Sequence, residues 1–197
     1  MPPGTALLVV DMQNDLVRPG RVLTVDGADA TIPRLVALLE TFRREGLPLM
    51  HACRVYRTDG ADVEKVRQKA FFESGGFLVE GSEGSAIVPE LTPWPGEPLF
   101  ARPGWSAFQS ADLRSAITAS ATRRLVLAGA DLPNSLRLTA YDALSLNLDV
   151  TVVRDGTASP RSDVHEGNLG DLARAGVRVD TCLEVIREAT AGLLARP

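Results

Sequence analysis

LVLAGADLPNSLRLTAYDALSLNLDVTVVRD, residues 125–155, is the stretch from which the fold follows. An apolar run, 125–128, stops at Gly129. A short polar turn comes next, and an amphipathic segment leads to a second apolar run, 150–153. Strand, turn, helix and parallel strand within about 30 residues is the size of one βαβ unit. The turn after the first strand of such a unit lies at the carboxyl edge of the sheet, where open α/β folds place their chemistry. Ser135 therefore opens a helix at the expected site. Read plainly, Asn134 or Ser135 is an N-cap that satisfies the free amides of a first helical turn. Read chemically, a hydroxyl beside those amides and the positive end of a helix is a cradle for an anion or oxyanion. The turn alone does not decide between them.

Working outward, residues 5–10, TALLVV, are apolar at every position. That is the signature of a strand covered on both faces, and Asp11 emerges at its carboxyl end. Ile32, Leu35, Val36, Leu38, Leu39 and Phe42 recur at helical spacing, giving a helix over 30–45 closed by Gly46. The pattern then predicts a strand at 47–56 and a helix from Ala61. An irregular Gly, Pro, Ser and Glu-rich passage follows over 74–98, with one helical turn at 85–91. A loop of that length inside a compact domain is usually functional, and this one is expected to help cover the site. Beyond it come a strand at 99–101, helices at 112–119, 136–146 and 164–175, a strand at 177–179 and a closing helix at 183–195. Strands alternating with helices imply a mainly parallel central sheet with helices on both faces.

A chain of 197 residues suffices for one domain with a continuous core. Its formal charge of -4, with signs mixed along the chain, leaves no basic patch and argues against nucleic acid as a partner. No apolar run approaches the roughly 20 residues of a membrane span. Cys53 and Cys182 have no metal-ligand spacing. With no signal peptide ahead of them they read as reduced core residues of a cytoplasmic protein.

Three segments line up at strand ends: ALLVVDMQNDLV with Asp11, FARPGWSAFQSADL with Arg102, and LVLAGADLPNSLRLTAYDAL with Ser135. Together they resemble the isochorismatase-like hydrolases, the family that includes nicotinamidases, carbamoylsarcosine amidohydrolases, ureidoacrylate hydrolases and isochorismatase. The resemblance covers nearly the whole chain. It implies a three-layer α/β fold over residues 1–197 as a single domain, a small-molecule substrate, no cofactor, and a homodimer or larger homo-oligomer. Asp11 falls on the family's catalytic aspartate. Arg102 falls where the family has its lysine, four positions before Ser106-Ala107-Phe108, and Ser135 falls on the nucleophilic cysteine. The resemblance also implies a cis peptide before Asp131, turning the amides of Asp131 and Ser135 toward an oxyanion. The segment HACRVYRTDGAD lacks the Asp and His cluster that holds metal in some nicotinamidases, so no metal is expected.

These departures bear on mechanism. A serine hydroxyl needs an adjacent base, and His51 and His165 fall on no motif position, so Asp11 would have to serve Ser135 alone. Arg102 is always charged and forks toward a carboxylate. Pairing with Asp11 lowers that carboxyl's pKa, which weakens it as a base and as an acid and counts against isochorismatase-type cleavage. Three readings remain: a hydrolase of a C–N bond in a small amide, imide or urea-like molecule; the same fold redirected to isomerisation or elimination; and a catalytically silent binding protein. A site filled by its own side chains favours the last. Trp105, Phe108 and Tyr56 are candidate pocket walls or core, and Gln13 and Asn134 candidate carbonyl or amide ligands or turn formers. Arg137 is a candidate contact for a substrate anion or a partner's acid. Arg54 and Arg57 read as solvated or interfacial, and Cys53 as buried core rather than a displaced nucleophile.

Overall fold

Runs apolar at every position need cover on both faces, and the strands receive it. The computed structural model describes residues 4–192. Its strands are β1 (Thr5–Val10), β2 (Leu49–Arg54), β3 (Leu99–Arg102), β4 (Arg124–Gly129), β5 (Asp149–Thr157) and β6 (Arg178–Asp180). They form one sheet in the order β3-β2-β1-β4-β5-β6, and every neighbouring pair is parallel. The helices are α1 (Asn14–Val17), α2 (Ala28–Arg44), α3 (Lys65–Glu73), α4 (Ala111–Ala119), α5 (Arg137–Ser145), α6 (Ser162–Arg174) and α7 (Cys182–Thr190).

The two faces follow from the strand period. Leu7 and Val9 of β1 join Val126 and Ala128 of β4 against Leu35, Leu38 and Phe42 of α2 and Val185 of α7. Ala6, Leu8 and Val10 join Leu125 and Leu127 on the other face, against Leu113 of α4, Ala140 of α5 and Leu172 of α6. Strand order reverses between β1 and β4, the switch point at which open α/β sheets bind ligands. Gly129 ends β4 at φ 125°, and a Cβ there would collide with the Val10 carbonyl oxygen. Only glycine lets the carboxyl ends of β1 and β4 lie this close.

Several element ends differ from the pattern-based expectation. The second strand is shorter than 47–56, because the Leu47 amide bonds the Phe42 carbonyl at the end of α2 and Tyr56 keeps only an isolated bridge to Val79. The helix expected from Ala61 begins at Lys65. The turn expected over 85–91 is a 3₁₀ turn at Pro89–Leu91. The closing helix runs Cys182–Thr190, and residues 193–195 of its expected span lie outside the described residues. The passage 74–98 is pinned to the segment after β1: Val88 N–H donates to the Met12 carbonyl, Asn14 N–H to the Ala86 carbonyl, and Leu78 N–H to Asp15 Oδ2. Among the described residues no helix is long and apolar enough to cross a membrane.

Candidate active site

Three strand ends and one turn converge. Val10, the last residue of β1, pairs with Ala52 of β2 and Gly129 of β4, and Arg54 of β2 pairs with Arg102 of β3. Asp11 follows directly and turns the chain with φ 56°, a left-handed conformation that Asp tolerates better than most residues. Its amide still donates to the Ala52 carbonyl at 2.8 Å, so the turn is anchored to the sheet. Beyond Gly129 the Ala130–Asp131 peptide is cis, and residues Leu132–Leu136 make a π-helical turn into α5 that carries Ser135.

These placements gather Asp11, Arg102 and Ser135 into one buried cluster. Arg102 forks onto the Asp11 carboxylate, Nη1 to Oδ1 at 2.5 Å and Nη2 to Oδ2 at 2.9 Å, and Nη2 also donates to the Trp105 carbonyl at 3.0 Å. Ser135 Oγ donates to Asp11 Oδ2 at 2.6 Å. Burial alone would push the Asp11 carboxyl up. The guanidiniums of Arg102 and Arg54 outweigh it and hold the group below the usual carboxylate range.

Arg54 corrects the sequence-based reading. It has no exposed surface, and its Nη2 lies 3.3 Å from both Asp11 Oδ2 and Ser135 Oγ. Gln13 fixes its backbone, accepting the Arg54 amide at 2.9 Å and donating to the Arg54 carbonyl at 2.8 Å. The missed signal is positional: LMHACR is buried from end to end, so its last residue sits at the carboxyl edge as Asp11 does after β1. Arg57, by contrast, is exposed and pairs with Asp59.

The other candidates divide. Gln13 spends its amide on backbone, donating also to the Ser85 carbonyl at 2.7 Å, so its role is to hold the turn. Asn134 Nδ2 donates to Asp131 Oδ2 at 2.9 Å, and Asp131 Oδ1 accepts the amides of Asn134 and Ser135 at 3.1 and 3.3 Å. The Ser135 amide, expected to point at an oxyanion, is thus engaged by its own cap. Phe108 is packed in the core between the sheet and α4 and α5. Tyr56 is buried edge-on against Phe71 and Phe77, its hydroxyl donating to Glu64 Oε2 at 2.5 Å. Trp105 is half-buried under the Arg67 guanidinium, 5.5 Å from its ring, and its buried Nε1 has no partner. Arg137 is held by α6 of its own chain, by Asn168 Oδ1 at 2.8 Å and Asp171 at 3.5 Å. Glu64 and Arg67 border the cluster and carry no sequence signal of their own.

Cys53 is buried between Ala52 and Arg54, its thiol pushed up by burial and by Asp11, which is the opposite of what a nucleophilic thiolate requires. His51 is buried one turn of the pleat further back and bonds Glu97, away from Ser135. His165 Nε2 donates to the Arg154 carbonyl, and its Nδ1 meets the Ser159 hydroxyl. Among the described residues no group of three or more His, Cys, Asp or Glu side chains could hold a metal ion.

Residues 5–182 of this chain match the isochorismatase domain. The chain belongs to the isochorismatase-like hydrolase family. It is similar in structure to an isochorismatase family protein from Desulfovibrio vulgaris, with TM-score 0.90 and 36% identity over 98% of this chain and 100% of the other. It is 33% identical over 91% of its length, and 93% of the relative's, to an Arabidopsis thaliana protein named "probable inactive nicotinamidase". It is 28% identical to a maleamate amidohydrolase of Pseudomonas putida, over 85% of this chain and 78% of that one.

Proposed function

We propose that this chain hydrolyses a C–N bond in a small amide, imide or urea-like molecule, with Ser135 Oγ as the attacking atom and Asp11 as its base. The observation that carries the reading is the 2.6 Å hydrogen bond from Ser135 Oγ to Asp11 Oδ2 at the opening of a helix. In this reading Asp11 takes the hydroxyl proton as Oγ adds to the substrate carbonyl. It returns that proton to the departing amine as the C–N bond breaks. A water then gives one proton to Asp11 and adds to the acyl-serine ester; Asp11 passes that proton to Oγ as the ester bond breaks, releasing the acid and restoring Ser135 and the carboxylate. Arg102 aligns Asp11 and neutralises it. The two guanidiniums depress the base and a hydroxyl is a weaker nucleophile than a thiolate, so turnover is expected to be slow. The relatives' names are consistent with amide chemistry, since one is a maleamate amidohydrolase. The reading includes a homo-oligomer in solution, which light scattering on the purified protein checks.

One observation favours a second reading, a binding protein without turnover. Asp11, Arg54 and Ser135 have no exposed surface, so the cluster is filled by its own side chains. Incubation with a panel of small amides and ureas, followed by mass spectrometry for product and by ammonia release, separates the two. Turnover that disappears in Asp11→Asn supports the hydrolase. Turnover in Ser135→Cys alone assigns the native chain to the second reading.

A further inference from the structure

The cluster holds more donors than its own acceptors use. Arg54 and Arg102 share one carboxylate, Asp11. Arg54 Nε and Nη1, Arg102 Nε and Trp105 Nε1 are all buried without a partner. Buried N–H groups are nearly always paired, and four orphans around one carboxylate call for an acceptor from elsewhere. Of the nearby acids, Asp131 is committed to its own turn and Glu64 to Tyr56 through Oε2, which leaves Glu64 Oε1 as one buried acceptor against four donors. Arg67 adds a third cation over the Trp105 ring, and its pKa is lowered by burial and then by Arg54.

Ser135 is also covered, so a substrate carbonyl reaches Oγ only when a side chain moves. Arg102 is forked and short, whereas Arg54 Nη2 holds Asp11 and Ser135 at 3.3 Å each, the longest bonds of the cluster. The Arg54 backbone is fixed in β2 and by Gln13, leaving its side chain as the part that yields. A neutral amide offers that guanidinium no counter-charge for leaving Asp11. A carboxylate brings both the charge and the acceptors that Nε, Nη1 and Trp105 Nε1 lack. We infer that Arg54 is the specificity-determining residue of this site, drawn off Ser135 by the carboxylate of the substrate, so that the amides taken are those that also carry a carboxylate. The inference rests on the hydrolytic reading above for its substrate, but the carboxylate site is measurable without turnover.

Malonate, succinate and glutarate are titrated into the intact protein by calorimetry, beside their neutral diamides, and the half-amides and diamides are assayed for ammonia release. At least one dicarboxylate is expected to bind while its diamide does not. Arg54→Lys should weaken binding about tenfold, Arg54→Gln more, and Trp105→Phe less. Trp105→Phe removes one N–H and no charge, so it reports on the site even if an Arg54 variant fails to fold. Binding that depends on Arg54 without ammonia release sinks the hydrolytic reading and keeps the carboxylate site. Diamides cleaved as fast as half-amides keep the hydrolase and overturn the role of Arg54; Glu64 Oε1, the free internal acceptor, would then be what receives it. Failure of all three dicarboxylates to bind, or binding unchanged in Arg54→Gln, overturns the inference as well.

Discussion

Two carboxylates in this molecule each collect four donors around an arginine fork, and they sit toward opposite ends of β2. Glu97 accepts Arg43 Nε at 2.7 Å and Nη2 at 2.9 Å, the Trp94 amide at 2.9 Å and His51 Nε2 at 3.2 Å. Asp11 accepts Arg102 twice, Arg54 and Ser135. The Glu97 cluster reaches solvent, with side chains of Glu97 and Arg43 12% and 13% exposed, and one cation faces one anion. The Asp11 cluster is sealed, shares its carboxylate between two guanidiniums, leaves several of their N–H groups unpaired and contains a hydroxyl. The same hydrogen-bond count therefore serves tertiary attachment at one end and a poised reactive group at the other. What separates them is unspent donors, not the number of bonds made.

The contrast is broken most forcefully by removing the carboxylates. Asp11→Asn leaves two guanidiniums buried without a counter-charge and should cost about 3–5 kcal/mol, whereas Glu97→Gln should cost about 1–2 kcal/mol; urea unfolding reads both. Equal losses would mean that Asp131 and Glu64 already compensate the guanidiniums. Removing the cations sharpens the difference. Arg54→Met leaves Asp11 with its forked Arg102 and should fall within about 1 kcal/mol of the parent, on either side, while Arg43→Met costs about 1–2 kcal/mol.

Acid separates the two ends more gently. Asp11 titrates lower folded than unfolded, so as pH falls the unfolded chain takes up that proton first. Its contribution is full above about pH 4 and drains below it. His51 also titrates lower folded than unfolded, because burial outweighs the pull of Glu97. The unfolded chain gains that proton from about pH 6.5 downward, and stability begins to fall there. Urea midpoints measured from pH 7.5 to 3 should show both declines. His51→Gln flattens the upper one. Asp11→Asn flattens part of the lower, the rest belonging to Glu97, whose carboxyl is held low by Arg43 against its burial. The smallest effect is at the thiols. Cys53 lies on β2 between the two clusters, and Cys182 is pushed up to about 12 by burial and by Asp155. Neither is expected to react with Ellman's reagent before the protein unfolds, and native labelling of Cys53 would reveal local opening of β2.

Much of this arrangement is legible in the chain. Continuous apolar runs such as TALLVV and LVLA give parallel strands directly, and the residue that ends each run is then placed at the sheet's carboxyl edge. Asp11 and Ser135 follow from that rule. Arg54 follows from it too, yet an arginine at the end of LMHAC looks like a surface residue until its neighbour in the next strand is known. The register that sets it opposite Arg102 is a long-range pairing with no local signature. Gln13, a plausible ligand in sequence, is consumed by backbone groups 41 and 72 residues away. Glu64 and Arg67 escape notice for the same reason, since nothing in TDGADVEKVRQ tells which side of its turn faces Tyr56 and Trp105.

Gly129 bears on all of this without touching it. A methyl group there would press on the Val10 carbonyl and part β4 from β1. Asp11 rides on one of those strands and Ser135 on the turn that leaves the other, so their separation is gauged by an atom that is missing. Gly129→Ala alters no charge, no donor and no reacting group. It should nevertheless detune the hydrogen bond between Ser135 and Asp11, as a spacer slipped under one arm of a caliper changes every reading it takes.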